Sequence, residues 1–230
     1  MKRLISILLL ALLPGLAPAL VIFQENFDSG ALNPHLGVSA SPGFSYDLSG
    51  GTLNLHMATG SGKGSIGVST DFQVVGDFTA TVDVSLGSLY NALGIGAYRS
   101  GGGGGNVFYW GGGSVISNMF TPIQIPQLIP SPGPNATFRI RRTGTTLFGE
   151  ILNGTTWQVI NSATSAIFAD PLTITLFLDN ETGPITAQNG SFDNLRIQAA
   201  GFRNFVPAPA TWALTLLGLA LLTRRSRLPG

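Results

Sequence analysis

The chain has 230 residues, no cysteine, 31 glycines and a formal net charge of +1. The lack of cysteine excludes a disulfide scaffold and thiolate metal sites. The charge balance misleads, because Lys2, Arg3, Arg224, Arg225 and Arg227 lie in the terminal segments; between them stand seven basic residues against eleven acidic ones, a net −4 that argues against a nucleic-acid partner, since phosphate contacts need clustered positive charge.

In chain order, the first element is a processing segment. Lys2 and Arg3 precede an apolar run over residues 4–13, and Ala17-Pro18-Ala19 supplies small residues where a signal peptidase reads them. The pattern predicts a signal peptide over 1–19 with cleavage after Ala19, and hence export.

Residues 20–200 show no amphipathic helical period. Short alternating runs are separated by Gly, Pro, Asn and Asp, which predicts an all-β domain. In "TLNLHM", Leu53, Leu55 and Met57 share one face. In "FTATVDVSL", Phe78, Ala80, Val82, Val84 and Leu86 point inward and Asp83 points out to solvent. "RIRRTGTTLFGEILNGTTWQVI" reads as three strands joined by turns at Thr143-Gly144 and Asn153-Gly154, with Arg139 and Arg141 on an outer face, Arg142 completing a small basic patch, and Trp157 in the core. "LTITLFL" aligns Leu172, Ile174, Leu176 and Leu178. The five-proline stretch from Pro122 to Pro134 reads as a rigid extended loop. About eleven or twelve strands at this spacing imply two antiparallel sheets packed face to face.

Past a linker over 201–209, residues 210–223 form an apolar segment and 224–230 a basic tail. Ala210 to Leu222, thirteen helical residues, reach only about 20 Å against about 30 Å of hydrocarbon, and the flanking residues lengthen this to a marginal span. Arg224, Arg225 and Arg227 favour the cytoplasmic side, as do Lys2 and Arg3, and this orientation puts the domain outside the inner membrane.

The most unusual stretch is "SGGGGGNVFYWGGG". Glycine tracts let backbones approach closely, and aromatic faces stack on sugar rings. Two readings are open. Either Val107 to Trp110 is a short core strand, with Phe108 and Trp110 on a buried face and Tyr109 exposed, or Tyr98, Tyr109 and Trp110 form a stacking platform with Arg99 and Asn106 offering hydrogen bonds. Gly62-x-Gly64-x-x-Gly67 formally matches a dinucleotide fingerprint, but β-type alternation follows it where a helix is required. His35 and His56 have no paired ligand and read as ordinary residues.

Two resemblances add to this. The tail "VPAPATWALTLLGLALLTRRSR" resembles the PEP-CTERM sorting signal of Gram-negative bacteria, matching at Val206, Pro207, Pro209, Trp212 and the arginines Arg224, Arg225 and Arg227; Ala208 stands where the family has Glu. The resemblance implies processing by an exosortase. The protein would then be either anchored in the inner membrane facing the periplasm or, after cleavage, at the cell surface or in the extracellular matrix.

The second resemblance rests on "FQENFDSGAL", "GGTLNL", "DFTATVDVSL", the Arg139–Ile160 stretch and "GSFDNLRIQ" in that order. Together these are similar to the concanavalin A-like jelly roll of laminin-G-like modules and family-16 glucanases. That fold implies a sugar site on the concave sheet and its rim loops. It also implies a structural calcium, for which the matching carboxylates are Glu25 or Asp28 with Asp193. The glucanases carry Glu-x-Asp-x-x-Glu on one strand, because glycoside cleavage needs two carboxylates in close apposition. No such run exists here, since the only glutamates are Glu25, Glu150 and Glu181.

The expectation is therefore an exported, non-catalytic module that binds carbohydrate or extracellular polysaccharide. The alternatives are a matrix or adhesion protein without a defined ligand, and a glycan hydrolase with displaced catalytic residues.

Overall fold

The computed structural model describes residues 20–88, 92–111, 113–121, 123–181 and 186–204. Its strands are β1 (Leu20–Glu25), β2 (Leu36–Ala40), β3 (Phe44–Asp47), β4 (Leu53–Met57), β5 (Gly64–Thr70), β6 (Phe72–Leu86), β7 (Ala92–Tyr98), β8 (Gly104–Trp110), β9 (Ser114–Phe120), β10 (Gln124–Pro130), β11 (Asn135–Thr143), β12 (Thr146–Asn153), β13 (Thr156–Thr164), β14 (Thr173–Asn180) and β15 (Gln188–Asn204). A single 3-10 turn, Ala166–Ala169, is the one helical element among the described residues. The all-β expectation is met, and no helix among these residues is long and apolar enough to cross a membrane. The apolar segment 210–223, the signal peptide and the basic tail lie outside the described residues.

Two antiparallel sheets form a sandwich. The back sheet runs β13-β12-β11-β6-β15-β4-β3, with β1 paired to β15. The front sheet runs β10-β9-β8-β7-β14-β5-β2. Alternation explains how they close on each other. Ala80, Val82 and Val84 of β6, Phe138 and Ile140 of β11, and Phe192 and Ile197 of β15 are buried from the back sheet. Leu93, Ile95 and Ala97 of β7, Val107 and Tyr109 of β8, and Ile174, Leu176 and Leu178 of β14 are buried from the front. The polar partners of each run are left on the outer faces.

The two tight turns expected around Gly144 and Gly154 are present, joining β11, β12 and β13. Both glycines adopt positive φ, 59° and 61°, which a two-residue hairpin turn of this hand requires. The strand count is higher than the sequence implied, because β2 and β3 are short with little apolar alternation and β10 carries two prolines.

Three expectations are corrected. The proline-rich stretch is not a loop: Gln124–Pro130 pairs along its whole length with β9 as the edge strand β10. An edge strand tolerates proline because one side of its backbone has no ladder to complete. Arg142 belongs to no surface patch, being 1% exposed. Its side chain points inward with Phe138 and Ile140, and its guanidinium donates to the carbonyls of Phe168 (2.6 Å), Asp170 (2.7 Å) and Gly76. Trp157 is not in the core. It lies half-buried on the outer face of the back sheet, with the Arg139 guanidinium 3.9 Å above its ring.

Asp83 is on the outer face of the back sheet, as expected, and is held there by hydrogen bonds from Thr137 (2.6 Å) and Asn194 (2.9 Å). Arg139 and Arg141 also face outward, where both grip Glu150.

Candidate functional site

The outer face of the front sheet carries a groove of about 480 Å³. Its floor follows from strand register. One row across the sheet reads Ile116, Phe108, Gly94, Phe177 and Gly67 on β9, β8, β7, β14 and β5. The neighbouring row toward one end reads Asn118, Asn106, Gly96 and Thr175; toward the other it reads Trp110, Ala92, Asp179 and Ser65. Antiparallel pairing puts all of these on one face, because register partners point the same way.

Glycine and alanine on β7 make the groove deep. Phe108 and Phe177 meet edge to face above Gly94, with ring centroids 5.9 Å apart. Phe108 also meets Trp110 in a T-shaped contact at 6.2 Å. A Cβ on Gly96 would lie 2.3 Å from Cε2 of Tyr98, so the tyrosine ring lies directly over that glycine. In this pose the Tyr98 hydroxyl accepts a hydrogen bond from Asn106 Nδ2 at 3.0 Å. Asn106 Oδ1 in turn accepts the backbone N–H of Asn118 at 3.2 Å. The polar chain ends at Asn118, whose Oδ1 is buried and has no hydrogen-bond partner among the described residues.

The electrostatics of the groove are one-sided. Among the described residues that line it, Asp179 and Glu181 are the only carboxylates and none is Lys, Arg or His. Burial holds the Asp179 carboxyl above its ordinary range, Glu181 pushes it the same way, and the Asn180 amide offsets part of this. Burial also pushes the Tyr98 hydroxyl up to about 12, against the hydrogen bond from Asn106 and with the negative charge of Asp179.

Of the residues expected to form a platform, Tyr98, Asn106 and Trp110 come together in this groove. Tyr109 and Arg99 do not. Tyr109 points the other way on β8 and is fully buried, packed on Phe138 at 5.1 Å and donating its hydroxyl to the Gly133 carbonyl at 2.9 Å. The sequence reading had the parity of this strand reversed: Val107 and Tyr109 pair with Ile95 and Leu93, which belong to the core. Arg99 donates to the Gly102 carbonyl (2.9 Å) and to Asp170 (2.8 Å) in the loop beyond β7.

Phe108, Phe177, Asn118, Asp179 and Glu181 were missed as site residues. One signal was available for Phe177, a large aromatic at a position that alternation in "LTITLFL" assigns to the solvent side.

Each of the carboxylates expected around calcium accepts a local hydrogen bond. Glu25 Oε1 accepts the Phe27 amide at 2.8 Å, Asp28 accepts from Asn26 at 2.6 Å, and Asp193 accepts the Asn194 amide at 2.7 Å. No group of three or more His, Cys, Asp or Glu suited to a metal occurs among the described residues. The signal-peptide residues Ala17 and Ala19 and the sorting residues Val206, Pro207, Pro209, Arg224, Arg225 and Arg227 lie outside the described residues.

Solved structures share this architecture. An immunostimulatory antigen and pseudo beta-1,3-glucanase of Mycobacterium tuberculosis superposes with a TM-score of 0.61 at 14% identity, over 79% of this chain and 99% of that one. A beta-glucanase of Bacillus licheniformis gives 0.59 at 14% identity, over 78% of this chain and 98% of that one. The fold is a jelly roll. The CBM2 module of the Lactobacillus casei BL23 phage J-1 evolved Dit gives 0.56 at 9% identity, over 79% of this chain and 96% of that one. No protein-family model and no curated protein matches the sequence. At these identities the likeness establishes the jelly-roll sandwich and leaves function to the groove itself.

Proposed function

We propose that the protein is an exported, non-catalytic module that binds carbohydrate in the front-sheet groove. One observation carries this reading: an apolar floor of Phe108, Phe177 and Trp110 is bordered by the polar side chains of Tyr98, Asn106 and Asn118. A sugar ring has apolar C–H faces and a rim of hydroxyls, and such a floor and border match both. The structural neighbours, a pseudo beta-1,3-glucanase, a beta-glucanase and a CBM2 module, agree with this reading. The signal peptide and the sorting-type tail supply the setting, a polysaccharide-bearing cell surface reached through an exosortase or an inner-membrane anchor. Retention of the purified protein on polysaccharide columns, with Trp110→Ala and Phe177→Ala as controls, tests the reading; equal retention of both variants overturns it.

A second reading rests on the raised Asp179 carboxyl beside Glu181. A carboxyl group held above its ordinary range next to a second carboxyl group is what acid–base cleavage of a glycoside uses. Here they are two residues apart on one chain segment, without the glucanase run. Sustained release of reducing ends from a glucan, lost in Asp179→Asn, establishes hydrolysis; no release leaves the binding reading.

A further inference from the structure

We infer that the slot between Trp110 and Asp179, floored by Ala92, takes the ammonium group of an amino sugar, so that the ligand is a glycan with free, non-acetylated amino groups. The inference rests on the carbohydrate reading above and narrows it.

The slot is set by register. Trp110 pairs with Ala92, and Ala92 pairs with Asp179. Trp110 and Asp179 therefore stand two strand spacings apart, each about 4.8 Å. Only a methyl group fills the position between them. A small charged group entering there meets an indole on one side and a carboxylate on the other. Indole is the best aromatic partner for a cation, and a carboxylate accepts charge-assisted hydrogen bonds from an ammonium. Ser65 lies beyond Asp179 in the same row, and Glu181 lines the same groove.

The rest of the groove selects in the same direction. Asp179 and Glu181 are acceptors when ionised, and no cationic side chain among the described lining residues answers them. A uronate or sulfated polymer would bring more acceptors and the same sign of charge. A deacetylated hexosamine brings hydroxyl donors and a cation, which also relieves the crowding of Asp179 by Glu181. An acetyl group on that nitrogen removes the charge on which both the indole and the carboxylate act.

Isothermal titration calorimetry of the protein at neutral pH and low salt decides the matter. The probes are a glucosamine hexasaccharide, its fully N-acetylated form, a glucose hexasaccharide and a galacturonate oligomer. The expected result is glucosamine binding at least about tenfold tighter than either uncharged oligomer, falling with added salt, and no galacturonate binding. The double variant Asp179→Asn, Glu181→Gln should lose that preference. Equal or tighter binding of an uncharged oligomer, binding of galacturonate, or an unchanged preference in the double variant each overturns the ammonium slot while leaving the groove as a sugar site. Failure of all four oligomers to bind overturns the carbohydrate reading and the slot together.

Discussion

Phe108 on β8 and Phe177 on β14 touch edge to face across Gly94, although a whole strand separates them. The contact exists because the intervening strand offers no side chain at that point. The same device recurs one row along, where Tyr98 lies over Gly96. Glycines on β7 therefore shape the candidate site without contacting a ligand.

Gly96→Ala should act on binding before it acts on the fold. The new methyl would lie 2.3 Å from the Tyr98 ring, which is the movable end of a side chain. The ring is displaced and its hydrogen bond with Asn106 is lost, at about 0.5–1.5 kcal/mol. Gly94→Ala is more severe, because its methyl meets the Val107 carbonyl at 2.2 Å and Phe108 Cα at 2.6 Å, both backbone atoms. Overpacking of this kind costs about 1–3 kcal/mol. Thermal melts paired with polysaccharide retention separate the two; a larger loss of melting temperature in Gly96→Ala than in Gly94→Ala contradicts the argument.

Adjacent aromatics on β8 should behave in opposite ways. Tyr109→Ala empties a core position and should cost about 3–5 kcal/mol, enough to lower the melting temperature by 10 °C or so or to prevent folding. Tyr109→Phe removes only the hydrogen bond to Gly133 and should cost about 1 kcal/mol. Trp110→Ala should leave the melt within a few degrees and abolish retention. If Trp110→Ala unfolds the domain and Tyr109→Ala does not, the assignment of faces on β8 is wrong.

Arg142 should be among the residues least tolerant of change. Its guanidinium serves the carbonyls of Gly76, Phe168 and Asp170, and burial alone would depress its pKa, with Asp77 and Asp170 working the other way. Arg142→Ala leaves buried acceptors without donors, a loss on the order of 3–5 kcal/mol. Arg142→Lys cannot span three carbonyls from one ammonium and should recover only part of it. Chemical denaturation of both variants reports this; a fully stable Arg142→Ala variant refutes it.

Glu150 should make the fold acid-sensitive. Burial works to raise its pKa, but the hydrogen bonds and charges of Arg139 and Arg141 outweigh it, and the net direction is down. A carboxyl depressed in the folded state contributes stability that is present above its unfolded value, about 4.3, and lost as pH falls through the lower folded value. Glu150→Gln should therefore lose about 1–3 kcal/mol at pH 7 and approach the parent protein at the acid end. Urea midpoints measured between pH 7 and pH 2 check the sign; a gap that widens on acidification excludes this role for the pair.

Local sequence determined most of the strands, though not the proline-bearing edge strand β10, and where the hairpins at Gly144 and Gly154 fall. Alternation in "FTATVDVSL" and "LTITLFL" fixes which residues face the core, because side chains in a strand have a period of two and water penalises the apolar set. Gly144 and Gly154 fix their turns because positive φ costs other residues more. The same logic failed where both faces of a strand are apolar or both are polar. In "VFYW" each face carries aromatics, so alternation cannot say which one is buried. Only pairing with β7, whose core face is Leu93, Ile95 and Ala97, decided that Tyr109 goes in and that Phe108 and Trp110 go out. In "RIRRTG" the charge of Arg142 suggested the surface, yet the strand's parity turned it inward, and carbonyls brought from Gly76, Phe168 and Asp170 made burial tolerable. The groove itself was invisible along the chain, since Phe108, Phe177 and Asn118 come from three strands separated by up to sixty-nine positions of sequence. Strand propensity and turn chemistry are properties of neighbours in sequence; a site made of side chains from β7, β8, β9 and β14 exists only once hydrogen-bonded register sets those strands side by side.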